Sequence, residues 1–196
     1  MIIAIKEKDK VVIGYSNGDS WSRLAEKDYV DQENVAIKFS EKGRVFACAT
    51  MNKASDKLLY DKGFVENDDI NPKSIHCDII GFIKMTLGKR DNPDKEEYWQ
   101  NTLLICDDKT IYDIDTRFNF YEVDDYVCHG YRVETLKSVL DATEGLPAEE
   151  RILKAVKFVG KMHKESLFPL VITDTTSRKF KIVNEGEKTY ECVDSL

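Results

Sequence analysis

The chain has 196 residues, 42% hydrophobic and 33% charged, with a formal net charge of −7. That length favours one domain spanning residues 1–196, and the balance of apolar and charged residues excludes a disordered or low-complexity chain. The negative charge excludes a nucleic-acid footprint, which needs clustered Lys and Arg. Local basic pieces exist, such as Lys84, Lys89 and Arg90, but Asp91, Asp94, Glu96 and Glu97 follow closely, and the stretch reads as a solvated helix end and loop.

The opening run Met1-Ile2-Ile3-Ala4-Ile5 is cut short by Lys6-Glu7-Lys8-Asp9-Lys10. A secretory signal needs a positive start and an apolar run of roughly 7–15 residues, and a bilayer-crossing helix needs roughly 20. Neither pattern occurs, so no membrane role and a cytoplasmic location are expected. The five cysteines, Cys48, Cys77, Cys106, Cys128 and Cys192, are odd in number and widely spaced. They read as small buried hydrophobes rather than a disulfide framework or zinc knuckle.

Residues 2–6 and 10–16 flank the polar turn Glu7-Lys8-Asp9 and read as a β-hairpin. After a polar stretch from Ser16 to Glu33, the alternation Val35 to Phe39, the turn Glu41-Lys42-Gly43 and the run Arg44 to Thr50 form a second hairpin. Two helices follow. One covers 52–62; the other starts at Asn71-Pro72, carries Ile75, Ile79, Ile80, Ile83 and Leu87 at helical spacing, and stops at Gly88.

Strands return at 102–106 and 110–114 around Asp107-Asp108-Lys109, then at 118–123 and 126–128. Helices follow at 131–142 and 147–163. The second has Ile152, Ala155, Val156, Val159 and Met162 as its inward stripe and Glu149 and Glu150 in its first turn. Strands at 168–173 and 179–183 close the pattern. Blocks of strands and helices in this order define an α+β chain, a four-layer α-β-β-α sandwich with two antiparallel sheets between helical layers. A Rossmann arrangement fits worse, because strands and helices do not alternate and no Gly-rich loop joins them.

In order and spacing, the segments Met1 to Lys6, Asp9 to Gly14, Asn34 to Ala47, Leu103 to Asp115 and Leu146 to Glu150 resemble the proteasome β-subunit family and its bacterial heat-shock relative. The resemblance covers nearly the whole chain. It implies an N-terminal-nucleophile hydrolase fold, with proteasome subunit topology, and self-association as a homo-oligomer. The chemistry it implies uses a processed N-terminal threonine, whose hydroxyl attacks while its α-amine serves as base. A lysine near the start of the second hairpin, an aspartate ending the first hairpin and a Ser-Gly-Gly turn complete that site.

Carried onto this sequence, the site is mostly missing. Met1 stands next to the threonine position, and the bulky Ile2 behind it favours retention of Met1. The aspartate position falls on Ser16, or on Asn17 or Asp19 with a register slip. The lysine position falls on Ile37, with Lys38 one residue away and therefore on the other sheet face. Val127-Cys128-His129-Gly130 replaces the Ser-Gly-Gly turn, and Thr50-Met51-Asn52 replaces a pair of glycines. Autoprocessing at a Gly-Thr junction is excluded, since none of the 10 glycines precedes Ser, Thr or Cys; a cut at Ala49-Thr50 would sever a core strand.

The leading expectation is therefore a proteasome-subunit-like protein without peptidase activity, acting in assembly, binding or regulation with itself or another protein partner. The alternative is an active N-terminal-nucleophile peptidase or amidohydrolase using a processed N-terminus or substitute catalytic groups, with Ser16, Lys38 and His129 as candidates. A Cys128-His129 dyad is disfavoured because strand neighbours point to opposite faces. His76, His129 and His163 lack metal-ligand spacing, so no metal or cofactor is expected. The doublets Asp68-Asp69, Asp107-Asp108 and Asp124-Asp125 read as turn chemistry, and Phe118, Phe120, Tyr121 and Tyr126 as sheet packing or a subunit contact.

Overall fold

The computed structural model describes residues 1–16, 36–41, 43–49, 58–59, 65–66, 81, 102–130, 132–164, 166–186 and 189–192. The elements run β1 (Ile2–Lys6), β2 (Val11–Tyr15), β3 (Ile37–Phe39), β4 (Val45–Cys48), β5 (Leu103–Cys106), β6 (Ile111–Ile114), β7 (Phe120–Val123) and β8 (Tyr126–His129). Helices α1 (Val133–Ala142) and α2 (Ala148–His163) follow, then β9 (Leu170–Asp174), β10 (Phe180–Val183) and β11 (Thr189–Cys192).

The strands form two antiparallel sheets. Sheet A has six strands in the order β11-β10-β9-β2-β1-β8, and sheet B has five in the order β3-β4-β5-β6-β7. The expected hairpins are present, with Ile2 opposite Tyr15, Ile37 opposite Ala47 and Leu103 opposite Ile114. The α+β sandwich expected from the sequence is the fold observed. Strand β11 was not among the expected elements; its Thr-Tyr-Glu-Cys run is only 4 residues long and pairs with β10 from Phe180 opposite Cys192 to Val183 opposite Thr189.

Side-chain alternation divides each sheet cleanly. In sheet A, Ile2, Ala4, Val11, Ile13, Tyr15 and Val171 face sheet B, whereas Ile3, Ile5, Val12, Cys128, Leu170 and Ile172 face α1 and α2. Both faces are buried, which explains why β1 and β2 read as almost unbroken apolar runs. In sheet B, Phe39 meets Phe180 of sheet A with ring centroids 5.2 Å apart, which places Ile37 and Phe39 between the sheets. The opposite face of sheet B, with Phe46, Cys48, Leu103 and Ile105, is buried in one cluster with Leu58, Leu59 and Val65. The expected helices at 52–62 and 71–87 otherwise lie outside the described residues.

Specific polar contacts fix the helical layer. The Ala148 N–H at the start of α2 donates to Glu7 Oε1 at 2.7 Å, so the β1–β2 turn supplies an anion to the positive end of the helix. Lys181 on β10 pairs with Glu149 in the same first turn. Arg151 is buried; it donates to Leu140 O at 3.0 Å, reaches Asp125 at 3.4 Å and lies 5.4 Å above the Tyr126 ring. This one guanidinium ties α2 to the end of α1 and to the β7–β8 turn.

Helix α2 also approaches β2 closely at Gly14, where an added Cβ would fall 2.6 Å from Ile152 Cγ2. Only a residue without a side chain fits beneath that methyl. We expect Gly14→Ala to destabilise the fold by about 1–3 kcal/mol through overpacking. In denaturant titrations its cost should shrink in an Ile152→Ala background, because the clashing methyl is then absent. An equal cost in both backgrounds would place the constraint elsewhere.

Candidate functional site

The candidate site lies where β1 begins, between β2 and β8. Met1 and Ser16 lie opposite each other at the end of the β1–β2 ladder, and the Ser16 N–H donates to Met1 O at 3.0 Å. In return the Met1 α-amine donates to Ser16 O at 2.7 Å. Its second acceptor is Ala49 O, 3.2 Å away at the end of β4 in sheet B. On the other flank, Ile2 pairs with His129 on β8, which brings Gly130 against Met1. Gly130 has φ +106°, and an added Cβ would sit 2.8 Å from Met1 Cα. Glycine is required there twice, by conformation and by the closeness of the chain start.

The amine is enclosed, and loss of solvation lowers its pKa from 8.0 to about 6. At neutral pH it is therefore mostly uncharged, and two of its hydrogens still meet the two carbonyls. It retains a lone pair that could accept a proton. The Met1 side chain, however, packs with Ile3, Ile5 and Cys128 in the helix-side core, where a thioether contributes packing and no nucleophilic hydroxyl.

The three sequence candidates occupy three different layers. Ser16 follows the inward-facing Tyr15, so its hydroxyl lies on the helix side, where Oγ donates to Leu167 O at 2.7 Å. His129 shares the face of Ile2 and points between the sheets, where Nε2 lies 2.9 Å from Asp113 Oδ1. Lys38 sits opposite Phe46 on the outer face of sheet B. Its neighbour Ile37, at the expected lysine position, is apolar and buried between the sheets. The structure thus brings Ser16 and His129 to the two strands flanking β1, on opposite faces of the sheet, and separates Lys38 from both.

Cys128 and His129 likewise diverge. Cys128 Sγ lies 3.9 Å from Val133 O under α1, and burial raises its thiol to about 11. Asp113 is the residue that sequence reasoning missed. It is buried, faces Leu104 across the β5–β6 pair and supplies the His129 contact between sheets. Its signal was present in the sequence: a carboxylate in the apolar run Ile111-Tyr112-Asp113-Ile114, at a position whose alternation points inward. Asp107 does turn work, accepting from the Lys109 and Thr110 N–H groups at 2.9 and 2.8 Å. The aromatics also separate, with Phe120 stacked on Tyr112 at 5.2 Å in sheet B and the Tyr126 hydroxyl bonded to Asp141 of α1.

No family model matches the sequence, and neither does any curated protein. Solved structures do match the backbone. The Thiobacillus denitrificans bacterial proteasome homologue, BPH, in its complex with epoxomicin, has a TM-score of 0.65 at 18% identity, covering 89% of this chain and 97% of that one. Anbu, an ancestral β-subunit from Yersinia bercovieri, gives 0.63 at 12%, covering 95% and 88%. Eukaryotic HslV from Trypanosoma brucei gives 0.56 at 16%, covering 88% and 97%. The fold is that of the proteasome β-subunit-like, N-terminal-nucleophile class. Among the described residues, no helix is long and apolar enough to cross a membrane.

The lowered amine pKa has a stability consequence. The unfolded chain holds the α-amine proton with a pKa near 8.0 and the folded chain near 6. Protonation between those values favours the unfolded state, so stability should fall as pH drops from 8 to 6, by on the order of 2–3 kcal/mol in total. Direct ¹⁵N detection of the amine in ¹⁵N-methionine-labelled protein should show a midpoint near 6. A midpoint near 8 would mean that the amine is solvated.

Proposed function

We propose that this chain is a proteasome-subunit-like protein without peptidase activity, acting in assembly, binding or regulation as one domain over residues 1–196. One observation carries the reading: the position that holds the nucleophile in this fold class has become a structural joint. The Met1 amine donates to Ser16 O and Ala49 O, and its thioether side chain belongs to the core. Ser16, His129 and Lys38 lie on three separate surfaces, which argues against a substitute catalytic group, since nucleophile and base must meet within hydrogen-bond reach. Self-association in the cytoplasm, with itself or a related chain, is part of this proposal; it is supported by the fold class and by the β-subunit description that the Anbu neighbour carries.

An active peptidase or amidohydrolase is the competing reading, and the enclosed amine with a pKa of about 6 is what favours it. Such an amine is an adequate base once a hydroxyl or thiol stands beside it. Intact mass after incubation with epoxomicin, the ligand in the BPH complex, separates the two. We expect a full-length mass beginning at Met1 and no adduct. A shortened chain starting at Ser, Thr or Cys, or a stoichiometric adduct, would establish the hydrolase instead.

A further inference from the structure

Outside the N-terminal site, the described residues form a cavity of about 470 Å³ at the C-terminal end of α2. Its walls include Lys157, Lys161 and Lys164 from the helix end, Ser166 and Phe168 from the segment leading to β9, and Glu185 from the turn after β10. That volume falls within the range of roughly 300–1,000 Å³ typical of small-molecule sites. We propose that this cavity binds a small phosphorylated ligand.

Charge is the first argument. The chain as a whole carries −7, yet three lysines and one glutamate line this concavity. Lys157 and Lys161 are i, i+4 neighbours on one face of α2, where like charges repel, and Lys164 is the left-handed residue that follows the last turn. A helix end tolerates cations because its last carbonyls are negative. That accounts for Lys161 and Lys164 being near the terminus, but not for their facing a cavity together with Lys157. Lys161 and Lys164 each bring an ammonium group to the wall, a point charge suited to a phosphate oxygen.

The remaining walls suit the rest of such a ligand. Ser166 Oγ donates to Glu185 Oε2 at 2.9 Å and accepts the Phe168 N–H at 3.4 Å, which fixes the rim opposite the helix. Glu185 keeps a second carboxylate oxygen for a ligand hydroxyl or amine. Phe168 is half-buried and offers an apolar surface to a ring. Lysines that bind as point charges, one acceptor and one aromatic face match a phosphate carried on a ring-bearing, hydroxylated group.

Calorimetric titration of the full chain with inorganic phosphate, pyrophosphate and adenosine monophosphate tests the proposal. Saturable one-to-one binding should appear, tighter for the nucleotide than for phosphate. Lys161→Glu/Lys164→Glu should weaken it by at least about tenfold. The charge-matched variant Lys109→Glu/Lys179→Glu, with both changes away from the cavity, should bind as the parent does. Equal weakening in both variants would show attraction to net charge alone and overturn the site. So would the absence of saturation up to about 10 mM of every probe. Binding only to vesicles of anionic lipid would assign the lysines to a membrane surface and likewise overturn it.

Discussion

The Met1 α-amine rests on two carbonyls from different sheets, Ser16 O beside sheet A and Ala49 O at the end of β4 in sheet B. This contact closes one end of the sandwich, and much of the nearby geometry follows from it. Strand β1 must lie between β2 and β8, so Gly130 must pass within van der Waals distance of the chain start. The Asp113–His129 pair joins the sheets a second time, one residue along the β1–β8 ladder. An apolar core alone is non-directional. These links, together with the Arg178 guanidinium of the β9–β10 turn donating to Ser40 O after β3, are directional contacts between the two sheets.

Much of the fold was legible because period-2 alternation and turn residues are local signals. The hairpins around Glu7-Lys8-Asp9 and Asp107-Asp108-Lys109 could be read directly, and so could the stripe of α2 from Ile152 to Val159; Met162, expected to continue it inward, is exposed in the last turn. What could not be read is non-local. Nothing near Gly14 announces that Ile152 rests on it, and nothing near Glu7 announces that it caps a helix 141 residues away. Strand β11 escaped for a different reason: its Thr-Tyr-Glu-Cys run lacks the aliphatic residues that mark four-residue strands such as Leu-Leu-Ile-Cys of β5 and Phe-Lys-Ile-Val of β10.

The candidate site was half legible. The absence of a hydroxyl at position 1 and the displacement of lysine from position 37 to 38 are sequence facts, and strand geometry turns each into a placement. The partners of Ser16 and His129 required the assembled sheets, because Leu167 and Asp113 come from a distant loop and from the other sheet. The polar groups on the strands beside Met1 are engaged in hydrogen bonds within the fold, Ser16 Oγ with Leu167 O and His129 Nε2 with Asp113 Oδ1.

The described thiols are distributed one to a layer. Cys48 lies on the outer face of sheet B, Cys106 between the sheets and Cys128 beneath α1, and all three are buried. Burial raises each above the ordinary thiol range, so in the native state none offers a thiolate to a reagent. The molecule therefore carries its own set of depth gauges. The order in which these sulfurs become alkylated as denaturant is added reports which interface parts first: helix from sheet, sheet from sheet, or the far face of sheet B from its cover.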